Sequence, residues 1–302
     1  MKKILNAVLI LLVSCQLQAQ DISEIGIPAN GSRDEFKSLS NCKNPALETR
    51  LAKKLKANPE WNKLIKQKKL AVSLVDLSDT CAVRYAEVNG NVMMYAASLP
   101  KIAILLAAMD AIEKGELEES DKVALDMKLM ISKSDNQAST RMIDRLGYQK
   151  ISDVLTDRKY NLYDKTQGGG LWVGKRYAAG GKKNPDPMQG LSHAATARQV
   201  ARFYHMLAFG QLVTKERSEQ MLEILVDPAL HHKFVNTYER IAPKARLFRK
   251  SGSWSVFHSD SIMVWGPERQ YILVALVEDA NGESIIRKIG SSVDEVITQP
   301  LK

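Results

Sequence analysis

The order of elements along the chain predicts an α/β protein of the α+β type. Three observations carry that reading. From Ile102 to Met109 the chain is wholly apolar, too short to span a bilayer and uniform enough to be a helix buried on every side. Near the C-terminus three strand-like runs follow one another, at 247–254, 255–265 and 270–277, the last two turned at Gly266-Pro267. Between these landmarks the apolar residues recur mostly at helical spacing.

The chain opens Met1-Lys2-Lys3, and Ile4 to Val13 is apolar apart from Asn6. A charged start before a short apolar run predicts a secretory signal, residues 1–19, rather than a membrane span. Two processing points compete. Leu17-Gln18-Ala19 ends in a small residue, whereas Leu12-Val13-Ser14-Cys15 resembles the bacterial lipobox, which would make Cys15 a lipid anchor. Either way the mature protein is exported, to the periplasm or cell envelope. Residues 20–45, polar with Gly26, Pro28, Gly31 and Pro45, read as a tether, and 46–302 as one domain. About 285 residues remain after the signal, enough for a large core.

Cys42 and Cys81 are then an even pair in an oxidising compartment, and a disulfide between them is expected. The alternative is two unrelated free thiols. The five histidines have no ligand-like spacing with each other or with cysteine, so neither a metal nor another cofactor is expected. The net charge of +9 is scattered, with no Arg-rich stripe interleaved with aromatics, which argues against nucleic acid. A basic exported protein suits anionic substrates or an anionic envelope surface, although ordinary surface charge is the plainer account. A monomer is expected.

Leu47, Leu51 and Leu55 give Ala46–Lys56 a helical period, and a second helical piece runs from Glu60 to Lys69. Leu70 to Leu77 reads as a strand. Cys81–Glu87 and Val92–Tyr95 read as a hairpin turned at Asn89-Gly90. The buried helix follows. Pro100 is tolerated only in a first turn, so the helix starts near Ser98, and it ends near Gly115. That puts a serine hydroxyl at the positive end of a helix, with Lys101 one turn deeper on the same face. A lysine among apolar side chains loses solvation, which makes its neutral form accessible as a base. Serine and base together make an activated nucleophile. Taken alone, the stretch reads equally well as a helix cap and a snorkelling lysine.

Ser134-Asp135-Asn136 lies at a junction between two helical patterns. Ser134 and Asn136 could face a cleft, or the three residues could only cap the next helix. Gln167 to Gly190 is a long glycine-rich loop, and loops of that length are functional or disordered. Gly169 to Lys175 nearly spells a phosphate loop, but Arg176 stands where Ser or Thr is required and no buried strand leads in, so nucleotide binding is rejected. Thr196 starts a helix with Val200, Phe203, Tyr204 and Leu207 on one face; Lys215–Leu225 is helical, and Ile285–Ile297 is the last helix. Lys250-Ser251-Gly252, on an edge strand, sets a cation, a hydroxyl and an approachable backbone side by side, which suits a carboxylate. A surface lysine beside a flexible glycine is the plainer account.

In order, Ser98-x-x-Lys101, Ser134-Asp135-Asn136 and Lys250-Ser251-Gly252 resemble the motif set of class A β-lactamases and penicillin-binding proteins, over roughly residues 46 to 300. The third motif is usually K-T-G; Ser251 keeps the hydroxyl. The resemblance implies an antiparallel sheet flanked by helices, with an all-helical subdomain. It implies an acyl-serine hydrolase with a small-molecule β-lactam or cell-wall peptide as substrate. By position, Ser98 would be the nucleophile and Lys101 its base or proton relay. Ser134 would pass a proton to the leaving nitrogen, and Asn136 would hold the substrate's amide side chain. Lys250 and Ser251 would receive the carboxylate, and the N–H groups of Ser98 and Ser253 would form the oxyanion hole. The chain departs from the pattern twice. Ser98 to Ser134 spans only 36 positions, which suggests a wider cleft. The segment 146–195 contains no Glu, so the loop carboxylate that activates the deacylating water is missing, and only Asp164 and Asp186 are acidic in its loop portion. A penicillin-binding-type D,D-peptidase or esterase, and a non-catalytic binding protein on the same fold, are the alternative readings.

Overall fold

The computed structural model describes residues 36–298; the expected signal peptide, Cys15 and most of the expected tether lie outside them. The main sheet has five antiparallel strands in the order β2-β1-β10-β9-β8: β1 Leu70–Asp76, β2 Arg84–Val88, β8 Arg246–Trp254, β9 Phe257–Trp265 and β10 Gln270–Glu278. Both faces are covered, which is why every residue of β1 is buried, Ser73 and Asp76 included. Leu70, Val72 and Leu74 face one core, shared with α1 Pro45–Lys56, α2 Pro59–Lys66, α8 Phe234–Ile241 and α9 Gly282–Thr298. Ala71 and Val75 face the other, larger core, built on α3 Lys101–Glu113, α4 Asp121–Ser132, α5 Asn136–Thr156, α6 Ala197–Ala208 and α7 Lys215–Leu225. The first core hangs on the N- and C-terminal helices, the second on the helical middle of the chain.

Local chemistry sets the helix starts. Pro45 and Pro59 stand in first turns behind the caps Asn44 and Asn58, and Thr196 and Thr214 cap α6 and α7 through their hydroxyls. Every residue of α3 from Lys101 to Ile112 is buried. Its α-helical part begins at Lys101, three residues later than expected. Residues 97–100 form a tight turn instead, in which Leu99 N–H bonds to Ala96 O at 3.0 Å and Lys101 N–H to Ser98 O at 3.3 Å. Ala97 enters that turn with φ 49°.

Several expectations are corrected. Asn89 does turn the chain, but no hairpin forms: β3, Met94–Tyr95, pairs with β7, His193–Ala195, in a small sheet that also holds β6, Trp172–Val173. Asn89 Nδ2 is tied to the carbonyls of Ile65 and Leu70, at 2.8 and 2.9 Å, so the chain leaves β2 away from its own strand. The expected Cys42–Cys81 disulfide is absent and both thiols are free. Cys42 is buried in a 3-10 turn at Leu39–Cys42, while Cys81 is exposed in the bend that Asp79 ties beyond β1. One thiol faces the core and the other faces solvent. The described end of the expected tether packs on the body, with Phe36 stacked on His205 at 5.0 Å and Lys43 bridged to Tyr85. The glycine-rich loop carries short ladders, β4 Tyr163–Asp164 with β5 Gly169–Gly170, as well as β6. The sequence reading has no helix at α8: Phe234, Val235, Tyr238 and Ile241 do fall at helical spacing, but the run is only eight residues long and no capping side chain marks its start.

Candidate active site

Three elements bring the motif residues together. The turn before α3 presents Ser98, half-buried. The junction of α4 and α5 presents Ser134, Asp135 and Asn136. Here Ser134 takes φ 56°, and the Asp135 carboxylate caps α5 by accepting from Ala138 N–H at 2.6 Å. The cap reading of this stretch is therefore right for Asp135, while its two neighbours turn toward Lys101. The edge strand β8 presents Lys250 and Gly252 on one side and Ser251 and Ser253 on the other.

Gly252 sets how closely β8 approaches. A Cβ there would lie 2.3 Å from Ala96 O, 2.6 Å from Ser98 N and 2.8 Å from Leu99 N. Only a residue without a side chain lets the strand reach the backbone of the serine turn. Ser259 Oγ fastens the same place by donating to Ala96 O at 2.8 Å.

Lys101 is fully buried. Its Nζ donates to Ser134 O at 2.6 Å and to Asn136 Oδ1 at 2.8 Å, with Ser134 Oγ and Asp135 O both farther, at 3.4 Å. Among the described residues none of its hydrogen bonds goes to Ser98. Burial lowers the Lys101 ammonium from 10.5 to about 7, against an opposing pull from Asp135. Lys250 donates to Ser134 Oγ at 2.8 Å and to Ser251 O at 2.8 Å, and burial, then the charge of Lys101, pushes it well below the ordinary lysine range. The Ser134 hydroxyl thus sits between two lysines that do not both favour the charged form.

The structure gathers Ser98, Lys101, Ser134, Asn136, Lys250 and Gly252 into one constellation. Ser251 is buried in β8 opposite Asp260, and exposed Ser253 accepts a hydrogen bond from Lys233 Nζ at 2.8 Å. Lys233 is a group that sequence reasoning missed. It is fully buried at φ 55° before α8, also donates to Gly252 O at 2.6 Å, and is lowered to about 8 by burial. Nothing in His231-His232-Lys233 separates it from ordinary surface charge. Two more were missed, Tyr177 and His193. Tyr177 lies in the long glycine-rich loop, whose length was the available signal. A cleft of about 670 Å³ opens beside the constellation, lined by Asn136, Tyr177, His193, Tyr95, Trp254 and Phe257 among others.

The two loop aspartates are elsewhere. Asp164 accepts from Thr166 N–H and Oγ1–H, at 2.8 and 2.7 Å, and lines a separate cavity with Arg198 and Arg202. Asp186 is buried and accepts from Tyr163 O–H at 3.0 Å and the N–H groups of Met188 and Gln189 at 3.0 and 3.1 Å. No Asp or Glu lines the cleft among the described residues, and none of those residues forms a cluster that could hold a metal ion.

The profile of a family described as the beta-lactamase enzyme family matches residues 56–128 and 125–297. No curated protein matches the chain. Among solved structures, a beta-lactamase from Sphaerobacter thermophilus is 18% identical with a TM-score of 0.65, covering 83% of this chain and 98% of its own. A beta-lactamase from Xanthomonas campestris is 15% identical with a TM-score of 0.63, covering 83% and 97%. A mutant of PBP-A, in an acyl-enzyme complex with penicillin G, is 19% identical with a TM-score of 0.62, covering 84% and 96%. These likenesses show the fold.

Proposed function

The chain belongs to the beta-lactamase enzyme family, and from that premise we propose that it is an exported serine hydrolase opening β-lactam rings through an acyl-serine intermediate at Ser98. One observation carries the reading: the buried Lys101, depressed to about 7, shares one constellation with the Ser98 turn, Ser134 and Lys250.

In the proposed reaction the Ser98 hydroxyl attacks the lactam carbonyl as Lys101 takes its proton. The oxyanion is met by the N–H groups of Ser98 and Ser253; aimed donors of this kind are typically worth ~2.7–4 kcal/mol. The proton then passes through Ser134 to the ring nitrogen as the C–N bond breaks. Asn136 holds the amide side chain of the substrate. Lys250 receives its carboxylate, while Ser251, buried on the opposite side of β8, does not share in that contact as the resemblance implied, and Lys233 adds positive potential behind Ser253. Export rests on the charged and apolar start of residues 1–19.

A second reading, a penicillin-binding-type D,D-peptidase, is favoured by one observation, the cleft without a carboxylate. Such an enzyme is acylated by penicillin and released slowly. The test of acyl-serine chemistry serves both readings: incubation with benzylpenicillin should add the drug's mass to the peptide holding Ser98, and Ser98→Ala should abolish the adduct. Labelling that survives the substitution places the nucleophile elsewhere.

A further inference from the structure

Tyr177 lies between β6 and β7, and three contacts fix it. Its hydroxyl donates to Ala97 O at 3.2 Å. Its ring centroid lies 4.4 Å from Lys101 Nζ. The ring also packs on His193, centroid to centroid 4.3 Å, and His193 in turn is bonded to Lys175 O at 3.0 Å and Ser192 Oγ at 3.2 Å. One side chain thus touches both the residue before Ser98 and the lysine. Ala97, at φ 49°, is in a conformation that an alanine keeps only where its surroundings hold it.

We propose that Tyr177 is a positioning residue for acylation: its hydroxyl pins the strained Ala97–Ser98 turn, and its ring walls Lys101 off from water so that the lysine stays a neutral base. The proposal rests on the acyl-serine reading above. The ring acts on Lys101 in two opposed ways. Its π face favours the ammonium, and its bulk excludes water, which favours the amine. Lys101 is fully buried with the ring in contact, and burial lowers its ammonium to about 7, so the larger part is assigned to the ring's bulk and substitutions of Tyr177 test it.

The other groups facing Lys101 do not replace this effect. Asp135, at the α4–α5 junction, favours the ammonium. His193, on β7, is itself lowered to about 4 by burial and carries no charge at neutral pH. Lys250, on β8, is pushed down by burial and by Lys101. Through the reaction Lys101 gains the Ser98 proton as the Oγ–carbonyl bond forms. It returns to the amine when that proton reaches the leaving nitrogen through Ser134. Tyr177 gains and loses none.

Different substitutions separate the two roles. Tyr177→Phe keeps the ring and removes the hydroxyl. Tyr177→Leu and Tyr177→Ala remove the ring, the first retaining more of the packing. Two readouts are followed against pH: the rate of benzylpenicillin acylation at Ser98 by intact mass, and the direct titration of Lys101 by NMR of lysine-labelled protein, its resonance assigned by loss in Lys101→Arg. Tyr177→Phe should slow acylation roughly 10-fold or more at every pH, with the inflection unmoved. Tyr177→Leu and Tyr177→Ala should move the inflection and the NMR titration together, upward from about 7 toward the ordinary lysine value. A merely structural tyrosine would lower thermal stability in all three and leave the titration of Lys101 where it was, which overturns the ring's part. Acylation of Tyr177→Phe at the wild-type rate overturns the hydroxyl's part. If the unsubstituted protein takes no acyl group, the acyl-serine reading falls, and the NMR titration still decides whether the ring depresses Lys101.

Discussion

Lys101 shows how one residue can be costly to the fold and useful to the site. Its side chain is fully buried, and its ammonium is lowered from 10.5 to about 7. Between those two values the unfolded chain binds the proton and the folded chain does not, so folding becomes more favourable as pH rises from about 7 to 10.5. Below about 7 both states are protonated and the burial penalty is complete. One such group contributes a slope of up to about 1.4 kcal/mol per pH unit in that window. Lys101→Met should therefore flatten the dependence of urea-unfolding free energy on pH above neutrality, leaving the part due to the other buried lysines, Lys233, lowered to about 8, and Lys250, also pushed down by burial. An unchanged slope would mean that Lys101 titrates as an ordinary lysine. The same substitution removes the proposed base and should slow acylation by roughly 10²–10⁴-fold, while the unsubstituted rate should rise with pH through about 7.

At the scale of the element, β8 does two jobs with alternate residues. Arg249, on the side of Ser251, is locked to Asp260 of β9 through Nε at 2.7 Å and Nη2 at 3.0 Å, and Asp260 Oδ2 also accepts from Phe234 N–H at the start of α8. This buried pair holds the edge strand to its neighbour and seats α8. On the other side Gly252 meets the serine turn, with backbone atoms as near as 2.3 Å to where a Cβ would stand. Those atoms belong to backbone already fixed by the Ser259 bond to Ala96, so they have little room to yield. Gly252→Ala should displace the Ser98 turn and reduce acylation by about 10²-fold, the size of effect that an ångström of misplacement produces. Thermal unfolding with a single transition would show that the domain still folds. Acylation at the unsubstituted rate would show that the turn accommodates the methyl group.

At the scale of the whole molecule, the decisive feature is where the carboxylates are. Asp164 and Asp186 are both held by local turn bonds outside the cleft. Release of an acyl-serine needs a deprotonated water, and general-base help is typically worth 10²–10⁴-fold. A chromogenic cephalosporin should therefore give a burst of one equivalent followed by slow turnover. Asp164→Asn and Asp186→Asn should leave the slow phase unchanged. Asp186→Asn should also lower stability, since it weakens a carboxylate that organises the 186–191 turn. Fast turnover with no burst, lost on either substitution, would return a loop aspartate to the mechanism.

The chain by itself determined the elements whose signal is local. Pro100 and the apolar run marked α3, Thr196 marked the start of α6, and β-rich runs marked β1 and the closing strands. The order of Ser98-x-x-Lys101, Ser134-Asp135-Asn136 and Lys250-Ser251-Gly252 was legible because each motif is a short contiguous stretch. Only the tertiary structure decided what depends on contacts between distant segments. It sent β3 to β7 instead of β2, since Asn89 bonds to carbonyls at Ile65 and Leu70. It kept Cys42 and Cys81 apart by turning one thiol to the core and the other to solvent. It brought Tyr177 and Lys233 to the site from segments with no periodicity to mark them. The depression of Lys101 belongs to both. The apolar residues around it in sequence predicted its desolvation, but the groups that complete its burial and accept its protons come from other elements, and only folding places them.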